Sequence, residues 1–391
     1  MRKFKTLLVA ICLANTFACG SCRTGDNTGT GGNTVRIGLL MSMTGDTANF
    51  GISSSNAIRM ATDEVNKDGG INGKQIELLL QDDRSDATEA ANIVTKFVSQ
   101  DGVHAIIGEV GSSRTLAAAP IAQNAKVPML TPSSTNPDVT KKGDYIFRSC
   151  FIDTVQGPAM SQFAAVRLNA KRAALLIDRR NDYSTGLEKT ITDAYVKLGG
   201  QIVITQSYQA GDQDFNAQIT SIKGANPEVI FVPGYYGDVG LIAKQARDKG
   251  LSVPLVGGDG WNSPSLYQIG GAALDGSYFT NHYSPDDPDP RVQRFVSAYQ
   301  ARYGTVPDAL AATGYDAAHI MFDAIRRAGS LEGAAIRDAL AATKGFPGVT
   351  GTVTFNENRD AVKPIVMIRI EPGGKFVLQE RLQTEGAAKA E

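Results

Sequence analysis

Apolar and polar positions along the chain follow two rhythms, with periods of about 2 and about 3.6, and the points where one yields to the other mark the elements. Residues 35–41 form a short apolar run, after which 51–67 carries Ala57, Ile58, Ala61 and Val65 at helical spacing. The chain therefore opens with a strand, a loop and a helix. Asp68-Gly69-Gly70 supplies the stop, 75–81 reads as a strand, and Ala87, Ala91, Val94 and Val98 mark a second helical face before a strand at 103–107. A helix over 114–125 follows, which Pro120 must kink or restart because it lacks an amide donor, and then a strand over 127–130.

The alternation resumes with helix 154–169, strand 172–177, helix 182–198, strand 201–207, helix 215–223, strand 228–232, helix 239–249 and strand 253–256. Such alternation predicts parallel sheets with helices on both faces. Past it come helices at 290–303, 309–328 and 331–342, then strands near 349–355, 364–370 and 376–379. The expected class is α/β, two doubly wound Rossmann-like halves with a cleft at the carboxyl ends of both sheets. A cleft between rigid halves is where a small ligand is expected to sit.

The ends depart from this pattern. Met1-Arg2-Lys3-Phe4-Lys5 precedes a mostly apolar stretch, 6–17, which reads as a secretory signal and is too short to span a bilayer. Thr16-Phe17-Ala18-Cys19 resembles the lipobox of bacterial lipoproteins, so Cys19 is the expected lipid anchor; Cys22 is a second candidate, and plain cleavage after Ala18 the alternative. Residues 20–33, rich in Gly, Thr and Asn, have the composition of a flexible tether. Of the 4 cysteines only Cys150 falls in the folded body, so no disulfide framework is expected.

Composition excludes several functions. Lys plus Arg (39) nearly balance Asp plus Glu (40), which leaves a net charge of -1 and no field suited to nucleic acid. No Gly-x-Gly-x-x-Gly follows a strand, Gly70-Ile71-Asn72-Gly73-Lys74 lacks the spacing of a phosphate-binding loop, and Ser112 lacks a Gly-x-Ser-x-Gly context. The 3 histidines, His104, His282 and His319, are too scattered to assemble a base or metal site. No enzyme activity, cofactor or metal is therefore expected.

Several motifs recur together: Ile37-Gly38-Leu39-Leu40-Met41-Ser42-Met43-Thr44-Gly45, Phe50-Gly51, Asn66-Lys67-Asp68-Gly69-Gly70-Ile71-Asn72-Gly73, Gln81-Asp82-Asp83, Gly108-Glu109-Val110-Gly111-Ser112-Ser113, Thr131-Pro132-Ser133-Ser134-Thr135 and Gly314-Tyr315-Asp316-Ala317-Ala318. In this order and spacing the chain resembles the branched-chain amino-acid-binding family of ABC transporters, the type I periplasmic binding proteins, over nearly all its length after the tether. The resemblance implies two lobes joined by a three-segment hinge: a signal at 1–18, a tether at 19–33, lobe one from 34–152 and 281–354, lobe two from 153–280 and 355–382, and a tail at 383–391. It also implies an exported monomer, in the periplasm or at the cell surface, held to the membrane only by a lipid anchor. Such a protein captures an amino acid by clamshell closure and delivers it to an ABC permease with its ATPase subunits. Relatives on this scaffold take other amino acids, amides, urea or small aromatic acids, and a ligand-sensing receptor of the same fold is the alternative.

An α-amino acid presents a carboxylate, an ammonium and a side chain, so its site needs donors, an acid and a shaped wall. Ser112 stands where a strand meets a helix, a place that favours an anion, and Ser133 and Thr135 follow the next strand; ordinary helix capping is the competing account of either loop alone. By the resemblance, Asp259 in Gly257-Gly258-Asp259-Gly260-Trp261 pairs with the ammonium, although an Asp among glycines is also a routine turn residue. The walls implied are Phe50, Tyr183 and Tyr235, with Leu310 where relatives often carry an aromatic. Trp261 is either an extra wall or a packing residue near the hinge.

Overall fold

In the computed structural model, residues 34–382 are described; the expectations for the signal, Cys19, the tether and the tail lie outside them. The first lobe begins with β1 (Thr34–Met41), α1 (Ala48–Lys67), β2 (Gln75–Asp82), α2 (Ala87–Lys96), β3 (Ala105–Gly108), α3 (Ser112–Asn124), β4 (Met129–Thr131) and β5 (Ile146–Arg148). Its five-stranded sheet has the order β2-β1-β3-β4-β5 with every pairing parallel. α3 runs through Pro120 without a break; the proline lacks an amide for the Leu116 carbonyl, and the helix tolerates that loss.

The second lobe follows with α4 (Asp153–Gln162), β6 (Arg172–Asp178), α5 (Asp182–Lys197), β7 (Gln201–Tyr208), α6 (Asn216–Gly224), β8 (Val229–Phe231), α7 (Tyr236–Asp248), β9 (Leu255–Gly257), α8 (Pro264–Gly270) and β10 (Tyr278–Asn281). The chain then returns through α9 (Pro290–Tyr303), α10 (Ala309–Ala328), which packs on α1, and α11 (Gly333–Ala341). A three-stranded sheet, β11 (Phe346–Gly348), β12 (Gly351–Phe355) and β13 (Ala361–Val362), is tied to α10 by Asp316, whose carboxylate accepts the Val349 and Thr350 amides at 2.7 and 2.8 Å. Finally β14 (Ile365–Glu371) and β15 (Lys375–Leu382) complete a seven-stranded sheet of order β15-β14-β10-β9-β8-β6-β7. β13 pairs antiparallel with β12, so the small sheet extends to Val362.

Strands β1, β3, β4, β6 and β8 are almost wholly buried, as their unbroken Val, Ile, Leu and Ala runs require beneath helices on both faces. Where segments cross between lobes, burial is polar. Arg148 at the end of β5 has no exposed side-chain surface; its Nε donates to Asp360 Oδ1 at 2.6 Å, its Nη1 to the Ser134 carbonyl at 2.7 Å and its Nη2 to Thr140 Oγ1 at 3.2 Å. Removing one partner of a buried pair leaves an uncompensated charge, which costs about 3–5 kcal/mol. Asp360→Ala should therefore lower the unfolding free energy by about that amount in urea titrations, while Arg148→Met with Asp360→Leu should recover most of it.

Candidate ligand-binding site

The first lobe contributes the loops that leave the carboxyl ends of β3 and β4. After β3 the chain turns through Glu109, Val110 and Gly111 into α3, whose first amides have no partner within the helix. A buried ion pair pins this turn: Arg114 Nε donates to Glu109 Oε2 at 2.8 Å, and Glu109 also accepts the Ser42 amide at 3.0 Å and the Gly111 amide at 2.5 Å. Arg114 is thereby neutralised within its own lobe, and the start of α3 remains the anion-binding feature.

The loop after β4 is bonded to the first one. Thr131 Oγ1 donates to the Glu109 carbonyl at 2.6 Å, Ser133 Oγ to the Val110 carbonyl at 2.9 Å, and Ser134 Oγ to the Glu109 carbonyl at 3.0 Å. Ser112 is no helix cap: Gly111 holds the cap position, and Ser112 Oγ accepts the Asn136 amide at 3.2 Å. The two serine-rich loops form one rigid polar ledge.

From the second lobe, Tyr183 stands in the first turn of α5 and Tyr235 immediately precedes α7, their rings stacked with centroids 5.3 Å apart and planes 4° from parallel. Phe50 of α1 meets Tyr235 edge-on at 5.8 Å across the lobes. Asp259 opens a short 3₁₀ turn after β9; its amide donates to Gln156 Oε1 at 2.9 Å, and Gly260 donates to the Tyr183 hydroxyl at 3.2 Å. Glycine is needed at 258, because a Cβ there would come within 2.2 Å of the Tyr183 hydroxyl.

Phe50, Ser112, Ser133, Tyr183, Tyr235, Asp259 and Leu310 all line a single gap between the lobes, together with Val110 and Gly260. Two expected site residues lie elsewhere. Trp261 is fully buried, donates from Nε1 to the Val232 carbonyl at 3.0 Å and packs toward Phe279, so it is a core residue of the second lobe and not a wall. Its indole is large and apolar, and the interior behind β8 and β9 takes it where the gap leaves no room. Thr135 is buried behind the lining; its carbonyl accepts the Asp153 amide at 3.0 Å, and its hydroxyl bears on the Asp153 carboxylate.

The sequence reading missed Asp153, Gln156 and His282, which back this gap. Gln156 Nε2 donates to Asp153 Oδ1 at 2.8 Å while its Oε1 receives Asp259, and His282 Nε2 lies 3.1 Å from Asp259 Oδ2. Asp259 Oδ1 is buried without a hydrogen-bond partner among the described residues, while the Thr135 hydroxyl bears on the Asp153 carboxylate. Burial, and then the Asp259 carboxylate beside it, pushes the Asp153 carboxyl up to about 7. The gap itself has a volume of about 10 Å³, close to the space one water needs, so admitting an amino acid requires the lobes to part. They meet through polar contacts that water can replace: Asn136 Nδ2 donates to the Asp182 carbonyl at 2.6 Å, the Asp182 amide to Ser113 Oγ at 2.9 Å, and Asn49 Nδ2 to Ser265 Oγ at 2.7 Å. A larger open groove of about 970 Å³ runs past Thr140, Phe151 and Asp360, but Asp360 is committed to Arg148, and Arg359 to the carbonyls of Ile146 and Thr140.

Two α/β lobes that close aromatic walls, an anion-binding helix start and an unpaired acid over one gap define a clamshell solute-binding protein. The chain belongs to the periplasmic binding protein family, whose sequence profile matches residues 34–375. It is 40% identical to a leucine-binding protein, LivK, of Thermotoga maritima, over 90% of this chain and 99% of that one, with a TM-score of 0.87. It is 36% identical to LivJ of Streptococcus pneumoniae, a branched-chain amino acid transporter substrate-binding protein solved with isoleucine, over 89% and 98% of the two chains with a TM-score of 0.83. A leucine-, isoleucine-, valine-, threonine- and alanine-binding protein of Pseudomonas aeruginosa is 32% identical over 332 residues, 84% of this chain and 87% of its own.

A carboxyl whose folded pKa lies above its unfolded value holds a proton in the native state, so it opposes folding increasingly as pH rises between the two values. For Asp153 this window runs from 3.8 to about 7. Asp153→Asn should therefore raise the melting temperature of the ligand-free protein, by an amount that grows from pH 4 to about pH 7 and is level above it, read by calorimetry at each pH.

Proposed function

We propose that the chain is the extracytoplasmic solute-binding component of an ABC importer, and that it captures an α-amino acid with a branched aliphatic side chain. The observation that carries this reading is the opposition of an acid and an anion site across one gap: the buried, unpaired Asp259 Oδ1 on one lobe and the start of α3 at Ser112 on the other. A zwitterion satisfies both at once. A ligand with only a carboxylate would leave Asp259 uncompensated, which argues against small aromatic acids. The relatives that bind leucine, isoleucine and valine support the side-chain class, and the lining of Phe50, Val110, Tyr235 and Leu310 suits it.

In this reading the roles divide by lobe. Ser112, Ser133 and the start of α3 receive the α-carboxylate, Asp259 pairs with the ammonium, Thr135 supports the ledge from behind, and Phe50, Tyr183, Tyr235 and Leu310 from both lobes wall the side chain. Ligand bridging favours the closed form, and the closed form is what a permease with its ATPase subunits recognises; without differential affinity no closure follows. The protein acts as a monomer outside the membrane, tethered by lipid at Cys19. Among the described residues no helix is long and apolar enough to cross a membrane.

A thermal-shift panel of amino acids, amides and aromatic acids tests the reading. Leucine, isoleucine or valine at 100 times its dissociation constant should stabilise the protein by about 2.7 kcal/mol, and Asp259→Ala should abolish the shift. A shift only with uncharged or purely anionic compounds would refute the assignment.

A further inference from the structure

The Asp259 carboxylate has two unlike oxygens. Oδ1 is buried without a partner among the described residues, while Oδ2 lies 3.1 Å from His282 Nε2. His282 sits just beyond β10 and is itself buried, with its ring stacked on Phe151 at 3.9 Å and 24°. That sandwich denies the imidazole rotation into solvent. Its other nitrogen, Nδ1, is also buried and has no hydrogen-bond partner among the described residues. A carboxylate only accepts, so the proton of a neutral ring belongs on Nε2, where it is donated to Oδ2.

We propose that His282 is the positioning residue of the ammonium site: by donating from Nε2 it fixes the Asp259 carboxylate with Oδ1 turned to the ligand's ammonium, and on gaining a second proton it becomes a cation that competes with the ammonium. The inference rests on the amino-acid reading above. Oriented this way, the short Asp259 side chain presents one oxygen to the ligand without sampling other rotamers. Burial holds the imidazole pKa below its ordinary value, so the ring is neutral at neutral pH and the competing form appears only in acid.

The surroundings of the ring bear on that competition. Asp259 faces it from the 3₁₀ turn, and Asp153 from α4 and Tyr183 from α5 bear on the same carboxylate. Lys363, which leads into β14, adds repulsion from behind, although its ammonium donates to Thr350 Oγ1 and the Ser149 carbonyl. Buried Cys150 and Arg148 lie farther along the same seam, with Arg148 paired to Asp360. Asp153 titrates near 7 and weakens cation binding when protonated, so a fall in affinity around that pH belongs to it and not to the imidazole.

The test is calorimetric titration of L-leucine into full-length wild type, His282→Leu, His282→Gln and Asp259→Ala from pH 7.5 to pH 5. A lost hydrogen bond to a charged group predicts that His282→Leu weakens binding about tenfold or more at pH 7.5. His282→Gln, which retains a terminal donor without titrating, should stay within about threefold of wild type and lose less affinity than wild type as the pH falls. Wild-type affinity in His282→Leu, or a wild-type acid profile in His282→Gln, overturns the inference. Should His282→Leu fail to fold, the glutamine profile still decides. Binding by wild type but not by Asp259→Ala, with His282→Leu unchanged, sinks this inference alone; absence of leucine binding in wild type sinks the amino-acid reading with it.

Discussion

The structure turns on an electrostatic imbalance that the protein does not resolve by itself. Asp153 and Asp259 are both buried at the seam of the lobes, Asp259 with Oδ1 unpaired among the described residues, and the buried arginines of the first lobe are engaged elsewhere, Arg114 with Glu109 and Arg148 with Asp360. An ionised carboxylate in that position is costly, and the protein lessens the cost by holding a proton on Asp153 up to about pH 7. In the proposed function an incoming ammonium would remove the imbalance, so that ligand charge, more than ligand shape, would favour the closed form.

The rest of the architecture serves to bring that acid opposite an anion site and to let the two separate. Parallel sheets place the loops after β3, β4 and β9 at their carboxyl ends, which face one another when the lobes meet. The lobe surfaces touch through hydrogen bonds of Asn49, Ser113 and Asn136, groups that water can satisfy on opening, and through the rings of Phe50, Tyr235 and Tyr236. Closure therefore carries a small intrinsic bias, and a bridging zwitterion can set it.

Much of this was legible from the sequence, for reasons that can be named. Long helices with a clear apolar face, such as 290–303 and 309–328, match the structure at both ends, and the buried strands announced themselves as unbroken apolar runs. Short elements did not: β5 is three residues ending in a buried arginine, and α8 and β10 lie among glycines and polar residues that carry no period. In the site, the serine loops could be placed because each follows a strand, whereas Asp259 entered through the family resemblance. Asp153, Gln156 and His282 converge from α4 and the end of β10, a juxtaposition only the tertiary fold creates. Of the two accounts open for Trp261 the structure fits packing, because Asp259 turns toward the gap while the indole turns into the core.

In the proposed function one captured molecule satisfies both the buried acid and the start of α3. The most direct test compares L-leucine with 4-methylpentanoate, the same carbon skeleton without the ammonium, by calorimetry at pH 7.5. The account predicts that leucine binds and that the acid alone is weaker by about a hundredfold or more, since it leaves Asp259 unpaired. Equal affinity for the two would contradict it.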